Sequence, residues 1–235
     1  EKKPMEQQLV VGTNSGFPPY EFIDETGKIV GFDIDLAQEI ATQMNKKLVV
    51  EDMSFDALIL ALDQGKIDIA IAGISITPNR MEKVSMVHYI GQGLTSLPLA
   101  FWEKIPEEVS QIEDFKKLKN KTIAAQVGNI QEEFISKFDF IEIQSLDTYT
   151  DLIMSIKYGK AIACVLEPLV VEKIKKQHPQ IKILEIPLGP EDKNEGNGIC
   201  IKKTNALLTR QIQEIVSKLK RDGTMEKLNK KWFIN

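Results

Sequence analysis

Cysteine and histidine are scarce in this 235-residue sequence, with two of each, and that scarcity removes whole classes of chemistry. There is no CxxC pair, no HExxH, no GxSxG and no glycine-rich loop closed by a P-loop lysine. The common thiol-redox, zinc-hydrolase, serine-hydrolase and nucleotide-binding patterns are therefore excluded. His88 and His178 lie far apart without nearby partners and read as packed or solvated. Cys164 and Cys200 fall inside apolar, strand-like runs, where buried thiols are the plain reading and a disulfide is not indicated. No metal or cofactor is expected. Long apolar runs are missing too, since nothing approaches the ~18 residues of a membrane span. Nor is there an excess of positive charge: 30 Lys and Arg against 34 Asp and Glu leave a net charge of −4. Lysine pairs such as Lys116-Lys117 and Lys230-Lys231 read as solvated helix faces, so nucleic acid is not an expected partner. The first residues, Glu1-Lys2-Lys3-Pro4, carry no signal peptide; they fit a mature chain whose targeting segment was removed, or a cytosolic one.

What is present is an apolar content of 43% beside 27% charge, enough for one large domain or two of ordinary size. Leu9–Thr13 reads as a short buried strand, and Asn14–Tyr20, with its glycine and two prolines, as a loop. Glu21–Ile23 and Ile29–Gly31 suggest a small hairpin. A helix begins at Asp33 or Asp35 and runs to about Asn45, on the spacing of Ile34, Ala37, Ile40, Ala41 and Met44. A strand at Leu48–Glu51 and a helix marked by Phe55, Leu58, Ile59 and Leu62 follow, closed by Gly65. The apolar run Ile67–Ala72 reads as a central parallel strand. Beyond it, Leu94–Trp102 is extended and 103–121 is polar. Strands are then expected at 122–126, 141–143, 161–166, 181–186 and 199–201, with helices between them and a last amphipathic helix from Leu207 to about Lys220.

Strand–helix alternation through both halves predicts an α/β fold of two lobes. An internal echo supports this: Ala61-Leu62-Asp63-Gln64-Gly65-Lys66-Ile67 and Ser155-Ile156-Lys157-Tyr158-Gly159-Lys160-Ala161 each place a helix, a glycine stop and a lysine before a buried strand. The segment from Ile199 has no strand–helix set of its own and is expected to return to the first lobe. The lobes are thus assigned to 1–97 with 192–235, and to 98–191, with a hinge at crossings near 94–102 and 186–198. Ligands of open α/β sheets bind beyond the C-terminal ends of the strands. On that rule the polar strand ends at Asn14, Ser75, Gln126 and Glu167 face one cleft.

The most informative stretch is Ala72-Gly73-Ile74-Ser75-Ile76-Thr77-Pro78-Asn79-Arg80. Thr77 and Pro78 form an N-cap and first helical position. The hydroxyls, the backbone N–H groups and Arg80 suit a small carboxylate; alone, the same residues also describe an ordinary capped helix with a solvated arginine.

The residues then resemble a known family. Gly12-Thr13-Asn14 with Phe17-Pro18-Pro19-Tyr20-Glu21, then Gly31-Phe32-Asp33-Ile34-Asp35-Leu36-Ala37, Phe55-Asp56-Ala57-Leu58-Ile59, Gly65-Lys66-Ile67-Asp68, the 72–80 stretch, Val127-Gly128-Asn129, Gly198-Ile199 and Asp222-Gly223-Thr224 are similar to the periplasmic polar-amino-acid-binding proteins of ABC importers. The arginine/lysine/histidine-binding members are the most alike, and ligand-binding domains of ionotropic glutamate receptors are a looser match. The resemblance covers nearly the whole chain. It implies a type II periplasmic-binding-protein clamshell, each lobe a mixed sheet flanked by helices, that closes on one amino acid. Arg80 would grip the α-carboxylate, helped by Gly73, Ser75 and backbone N–H groups at Asn129 and Ile130. Glu167, where aspartate is more usual, would bind the α-ammonium with Gly73. Phe17 and Phe55 would sandwich the ligand side chain. The usual Phe-Ser-x-Pro-Tyr after the arginine is replaced by Met86-Val87-His88-Tyr89-Ile90.

Asn14, Glu21, Asp33, Gln126 and Gln131 complete the expected side-chain pocket; Asp33 also reads as a helix-capping residue. A pocket of amides and carboxylates without a second cation suits a guanidinium or ammonium tail. The expected order is arginine, then lysine or ornithine, then glutamine or histidine. The resemblance implies a monomeric binding protein rather than an enzyme. It would be periplasmic or otherwise extracytoplasmic, lipid-anchored in some members, and hand its ligand to an inner-membrane ABC permease. Two readings of other kinds stay open: a dehydratase on the same fold that uses a cleft carboxylate, and a ligand-sensing module of a membrane receptor.

Overall fold

A computed structural model of the chain describes residues 7–189, 192 and 194–232; part of the expected loop 187–198 lies outside them. The chain opens with β1 (Gln8–Thr13), the hairpin strands β2 (Phe22–Ile23) and β3 (Ile29–Val30), α1 (Phe32–Gln43), β4 (Lys47–Asp52) and α2 (Ala57–Asp63). Next come β5 (Ile69–Ala70), α3 (Pro78–Lys83), β6 (Val84–Ile90) and β7 (Ser96–Phe101). A 3₁₀ turn (Ile112–Lys117) precedes β8 (Thr122–Gln126), α4 (Ile130–Ile135), β9 (Glu142–Leu146), α5 (Tyr149–Lys157), β10 (Ala163–Val165), α6 (Pro168–Gln177) and β11 (Lys182–Pro187). The chain ends with β12 (Asn197–Lys202), α7 (Ala206–Arg221) and α8 (Thr224–Trp232).

These residues divide into two units, the first holding the chain up to Gln92 and again from Asn194, the second beginning at Gly93. The first division falls ahead of β7 because that strand pairs with β10 and β11. The expected boundary at 97/98 would have cut through it. Each unit carries a five-stranded mixed sheet, and the two sheets follow one plan. Their orders are β4-β1-β5-β12-β6 and β9-β8-β10-β7-β11. In both, three parallel strands run second, first, third. An antiparallel strand then pairs with the third and carries an antiparallel edge strand. As expected, the late strand β12 returns to the first sheet.

The sequence echo has a direct local cause. Gly65 and Gly159 take φ of +69° and +68°, the left-handed geometry that stops a helix at little cost only for glycine. Each ends the helix that feeds the third parallel strand. The apolar run at 67–72 forms only a short strand, Ile69–Ala70, flanked by the Asp68 and Ile71 N–H groups, which donate to the Val10 and Gly12 carbonyls. The Asp68 side chain accepts the Val10 N–H at 2.8 Å, and beyond Ile71 the chain leaves the sheet toward the loop that holds Arg80. Val84–Ile90, not foreseen as a strand, pairs along most of its length with β12. The polar stretch 103–121 is not all loop, since it contains the 3₁₀ turn.

The cores are separate. Leu58, Leu62, Ile67, Ile74 and Cys200 cluster in the first unit; Leu97, Phe101, Phe115, Ile123, Phe134 and Val165 do so in the second. Each such side chain contributes about 1.5–3 kcal/mol when fully buried. Both cysteines are free and buried. Burial pushes the Cys200 thiol up to about 12, so it is a packing group rather than a nucleophile.

Candidate functional site

In each sheet the order reverses between the first and third parallel strands, and their C-terminal ends flank that point. Open α/β sheets bind ligands there. The residues named from sequence sort to these two places: Asn14 and Gly73–Arg80 follow β1 and β5, while Gln126–Gln131 and Glu167 follow β8 and β10.

In the first unit the loop from Gly73 to Thr77 is held on three sides. Gly73 has φ of +56°, and a Cβ there would lie 2.5 Å from Cε1 of Phe17, so the Phe17 ring rests on the glycine. The Gly73 N–H donates to Asp33 Oδ2 at 2.9 Å, which leaves its carbonyl as the group it can offer a ligand. The return strand secures the next residues: Ser75 bridges Asn197, the Ile76 N–H donates to the Gly196 carbonyl, and the Gly198 N–H donates to the Ile74 carbonyl. Thr77 caps α3 as its sequence predicts, with Oγ1 accepting the Arg80 N–H and Pro78 in the first turn. Arg80 is buried. Its Nη1 donates to the Ser75 carbonyl at 2.9 Å, and its guanidinium carbon lies 5.6 Å from the centroid of the half-buried Phe55 ring. A carbonyl and an aromatic face thus hold the fork, an arrangement suited to presenting guanidinium donors to a carboxylate.

Behind this loop, Glu21 and Asp33 are 1% and 0% exposed. Asp33 Oδ2 accepts both the Gly73 N–H and the Tyr89 hydroxyl, each at 2.9 Å, and the Asp33 charge acts on the Glu21 carboxyl. Burial raises Asp33 to about 6, opposed by its bonds to Glu21, Gly73 and Tyr89. Burial, together with the charges of Asp33 and Asp52, holds Glu21 well above the usual carboxylate range. Both carboxyls are thus shifted toward their protonated forms, each by burial first. Glu21 Oε2 and Asp33 Oδ1 are enclosed without a hydrogen-bond partner. Asn14 stands nearer the sheet edge, where its Nδ2 donates to the Met53 carbonyl at 2.9 Å.

In the second unit Gln126 ends β8 and its Nε2 donates to the Asp147 carbonyl at 3.0 Å. Gly128 turns the chain with φ of +75°. Asn129 then caps α4, its Oδ1 accepting the Glu132 N–H at 2.8 Å, while its Nδ2 is buried without a partner. Ile130 opens the helix. Gln131 reaches back to donate from Nε2 to Glu167 Oε2 at 2.7 Å. Glu167 precedes Pro168 at the start of α6 and is 7% exposed. Burial raises its carboxyl to about 7, with the Gln131 bond acting the other way.

The comparisons with known proteins agree with this geometry. Residues 9–235 match the family described as bacterial extracellular solute-binding proteins, family 3. The chain belongs to that family. Among solute-binding relatives, the probable ABC transporter arginine-binding protein ArtJ of Chlamydia trachomatis serovar D is 35% identical over 231 residues, covering 97% of this chain and 87% of the relative. The arginine-binding extracellular protein ArtP of Bacillus subtilis strain 168 is 30% identical over 233 residues, 97% of this chain and 86% of its own. A solved ancestral arginine-binding protein bound to arginine superposes with a TM-score of 0.85 at 33% identity, covering 98% of this chain and all 100% of that one. The fold is thus the mixed α/β, two-lobe fold of periplasmic binding proteins.

Sequence reasoning missed two supports of the loop that holds Arg80. Tyr89, which holds Asp33, lies in the stretch that departs from the family pattern at 86–90; a tyrosine surviving in a replaced motif was the available signal. Of the strap from Gly196 to Gly198 only Gly198 belonged to a recognised pattern; Gly196, with φ of +87°, did not. Among the described residues no group of His, Cys, Asp and Glu could hold a metal ion, and no helix is long and apolar enough to cross a membrane.

Proposed function

We propose that this solute-binding protein captures a basic L-amino acid, arginine in preference to lysine or ornithine and these in preference to glutamine or histidine, for delivery to an ABC permease. The observation that carries the amino-acid part is one of charge. The first unit brings a fixed, buried guanidinium to a strand end, and the second brings a buried carboxyl to the equivalent strand end. Arg80 takes the α-carboxylate, with Ser75 and the helix start at Asn129 and Ile130 adding donors. Glu167 takes the α-ammonium, and the Gly73 carbonyl is its natural companion. Phe55 and Phe17 supply flat apolar surface for the ligand's aliphatic stem.

Preference for a cation in the side chain is supported by the relatives named for arginine and by the field at the edge of the first sheet. There burial first, and then the charges of Asp33 and Asp52, raise the Glu21 carboxyl, and the field of those two carboxylates favours positive charge brought near them. Asn14, Gln126 and the Glu21–Asp33 pair then act on the ligand tail or behind it. In this reading the chain acts as an extracytoplasmic monomer and catalyses no reaction.

Calorimetric titration with arginine, lysine, ornithine, glutamine, histidine and citrulline tests the proposal, because citrulline keeps arginine's shape without its charge. Arginine should bind tightest and citrulline at least about tenfold more weakly. Arg80→Ala should weaken every amino acid by roughly a thousandfold, since it leaves the ligand carboxylate without its counter-ion. Micromolar arginine binding by that variant would show that the carboxylate is held elsewhere. Equal affinity for citrulline would show that the pocket reads shape alone, and turnover of any ligand would make the chain an enzyme.

A further inference from the structure

The Gln131–Glu167 bond assigns Gln131 a different role from the one its sequence position suggests. Its neighbours Gly128, Asn129 and Ile130 serve the loop and the helix start, and Gln131 was expected beside the ligand's side chain. Instead its amide is directed at a single acceptor, the carboxylate of Glu167, 36 residues further along the chain. Both side chains are buried, and the 2.7 Å separation is that of a strong, charge-assisted hydrogen bond.

We infer that Gln131 is a positioning residue for ammonium recognition: it holds the Glu167 carboxylate ionised and aimed, and does not itself touch the ligand. The inference rests on the proposed role of Glu167. Three observations support it. First, the glutamate side chain has three rotatable bonds to fix, and a donor on Oε2 fixes the last of them. Second, burial alone drives the Glu167 carboxyl toward its neutral form, which cannot pair with an ammonium, and the Gln131 N–H is the contact that opposes this. Third, Gln131 is placed to do so by α4, whose first turn is pinned by the Asn129 cap on the Glu132 N–H and by the Glu132 carboxylate on the Gly128 N–H. The donor therefore sits on a rigid element, as a positioning group must.

The test separates the ammonium from the rest of the ligand. Calorimetry would measure Kd for arginine and for 5-guanidinopentanoate, which is arginine without its α-amino group, on the wild type, Gln131→Met, Glu167→Gln and the double variant. Gln131→Met should weaken arginine by roughly tenfold and leave the analogue within twofold, because one charge-assisted bond is lost. The double variant should be no weaker toward arginine than Glu167→Gln alone, since Gln131 acts through the carboxylate. Gln131→Asn, which keeps an amide on a shorter arm, should fall between wild type and Gln131→Met. A misfolded fraction lowers the number of sites titrated and not the ratio of the two Kd values, so the ratio remains readable in an unstable variant. Equal weakening toward both ligands would overturn the inference and return Gln131 to the side-chain pocket or to a structural role. An unchanged arginine Kd in Gln131→Met would overturn it as well. A wild type that does not distinguish arginine from the analogue would instead overturn the role of Glu167, and with it this inference.

Discussion

Each unit buries an acid behind its strand ends, and the two acids are provided for in opposite ways. In the first unit Asp33 faces another carboxyl, Glu21, and also receives two donors from the protein, the Gly73 N–H and the Tyr89 hydroxyl. In the second unit Glu167 faces an amide and accepts a hydrogen bond from Gln131. An acid that takes two donors from its own fold on one oxygen, as Asp33 Oδ2 does, is tied to that fold. An acid with one donor, raised to about 7, is left to gain its charge when a cation arrives. The comparison teaches that a carboxyl's burial and elevated pKa do not reveal its role; the count of internal donors does.

The largest expected effect separates these roles directly. Asp33→Ala leaves two buried donors unpaired, each costing about 1–3 kcal/mol, so chemical denaturation should show a loss of roughly 3–5 kcal/mol. Arginine affinity should fall too, because Gly73 loses the contact that orients its peptide. Glu167→Ala leaves only the buried Gln131 amide unpaired and also removes a group that burial disfavours, so its stability loss should be smaller, below about 1–3 kcal/mol, while arginine affinity collapses. Were Asp33→Ala to keep its stability and lose only basic ligands, Asp33 would be a ligand acid after all, and the contrast between the units would fail.

The second effect is one of pH. A carboxyl that titrates near 7 in the free protein must lose its proton to pair with an ammonium. Arginine affinity should therefore be flat above about pH 7 and weaken by up to tenfold per unit as pH falls below it. Titrations between pH 5.5 and 8.5 would show this, and Glu167→Gln should flatten the profile. A wild-type affinity independent of pH over that range would mean that Glu167 is ionised before the ligand arrives.

What the sequence disclosed and what it withheld follow the same division. Thr77, Pro78 and Arg80 were legible because a cap, a proline and a helix start act over four residues. Gly65 and Gly159 were legible because left-handed backbone has a residue preference of its own. The return of β12 to the first sheet could be inferred because the last strand had no partners nearby in sequence. Asp33 and Gln131 were both assigned to the side-chain pocket, yet one is tied to Tyr89 and the other to Glu167. Those bonds span 56 and 36 residues and leave no periodicity or spacing to read. Residue type at a strand end tells which chemistry is available; the direction in which it is used depends on contacts that only the folded chain sets. Val84–Ile90 was missed for a related reason, since most of its pairing is with β12, over a hundred residues away.

The smallest effect tests whether the first unit's pair shares a proton. Glu21→Gln keeps a donor beside Asp33 and removes one titration, so stability at neutral pH should change by less than about 1 kcal/mol. Its signature lies in the slope. Asp33 is raised to about 6 in the fold from a normal value near 4, and a raised acid favours the folded state most where it is protonated. Stability from this group is thus fully present below about pH 4 and is lost as pH rises through 6. Glu21 adds to that trend, because its carboxyl is held well above normal by burial and by Asp33. Glu21→Gln should therefore make the decline with rising pH shallower. Unfolding curves for both proteins from pH 4 to 9 would show whether they diverge as pH rises. If they run parallel, Glu21 does not hold the shared proton, and the first unit's acid pair resembles the second unit's amide-held carboxyl more closely than its burial suggests.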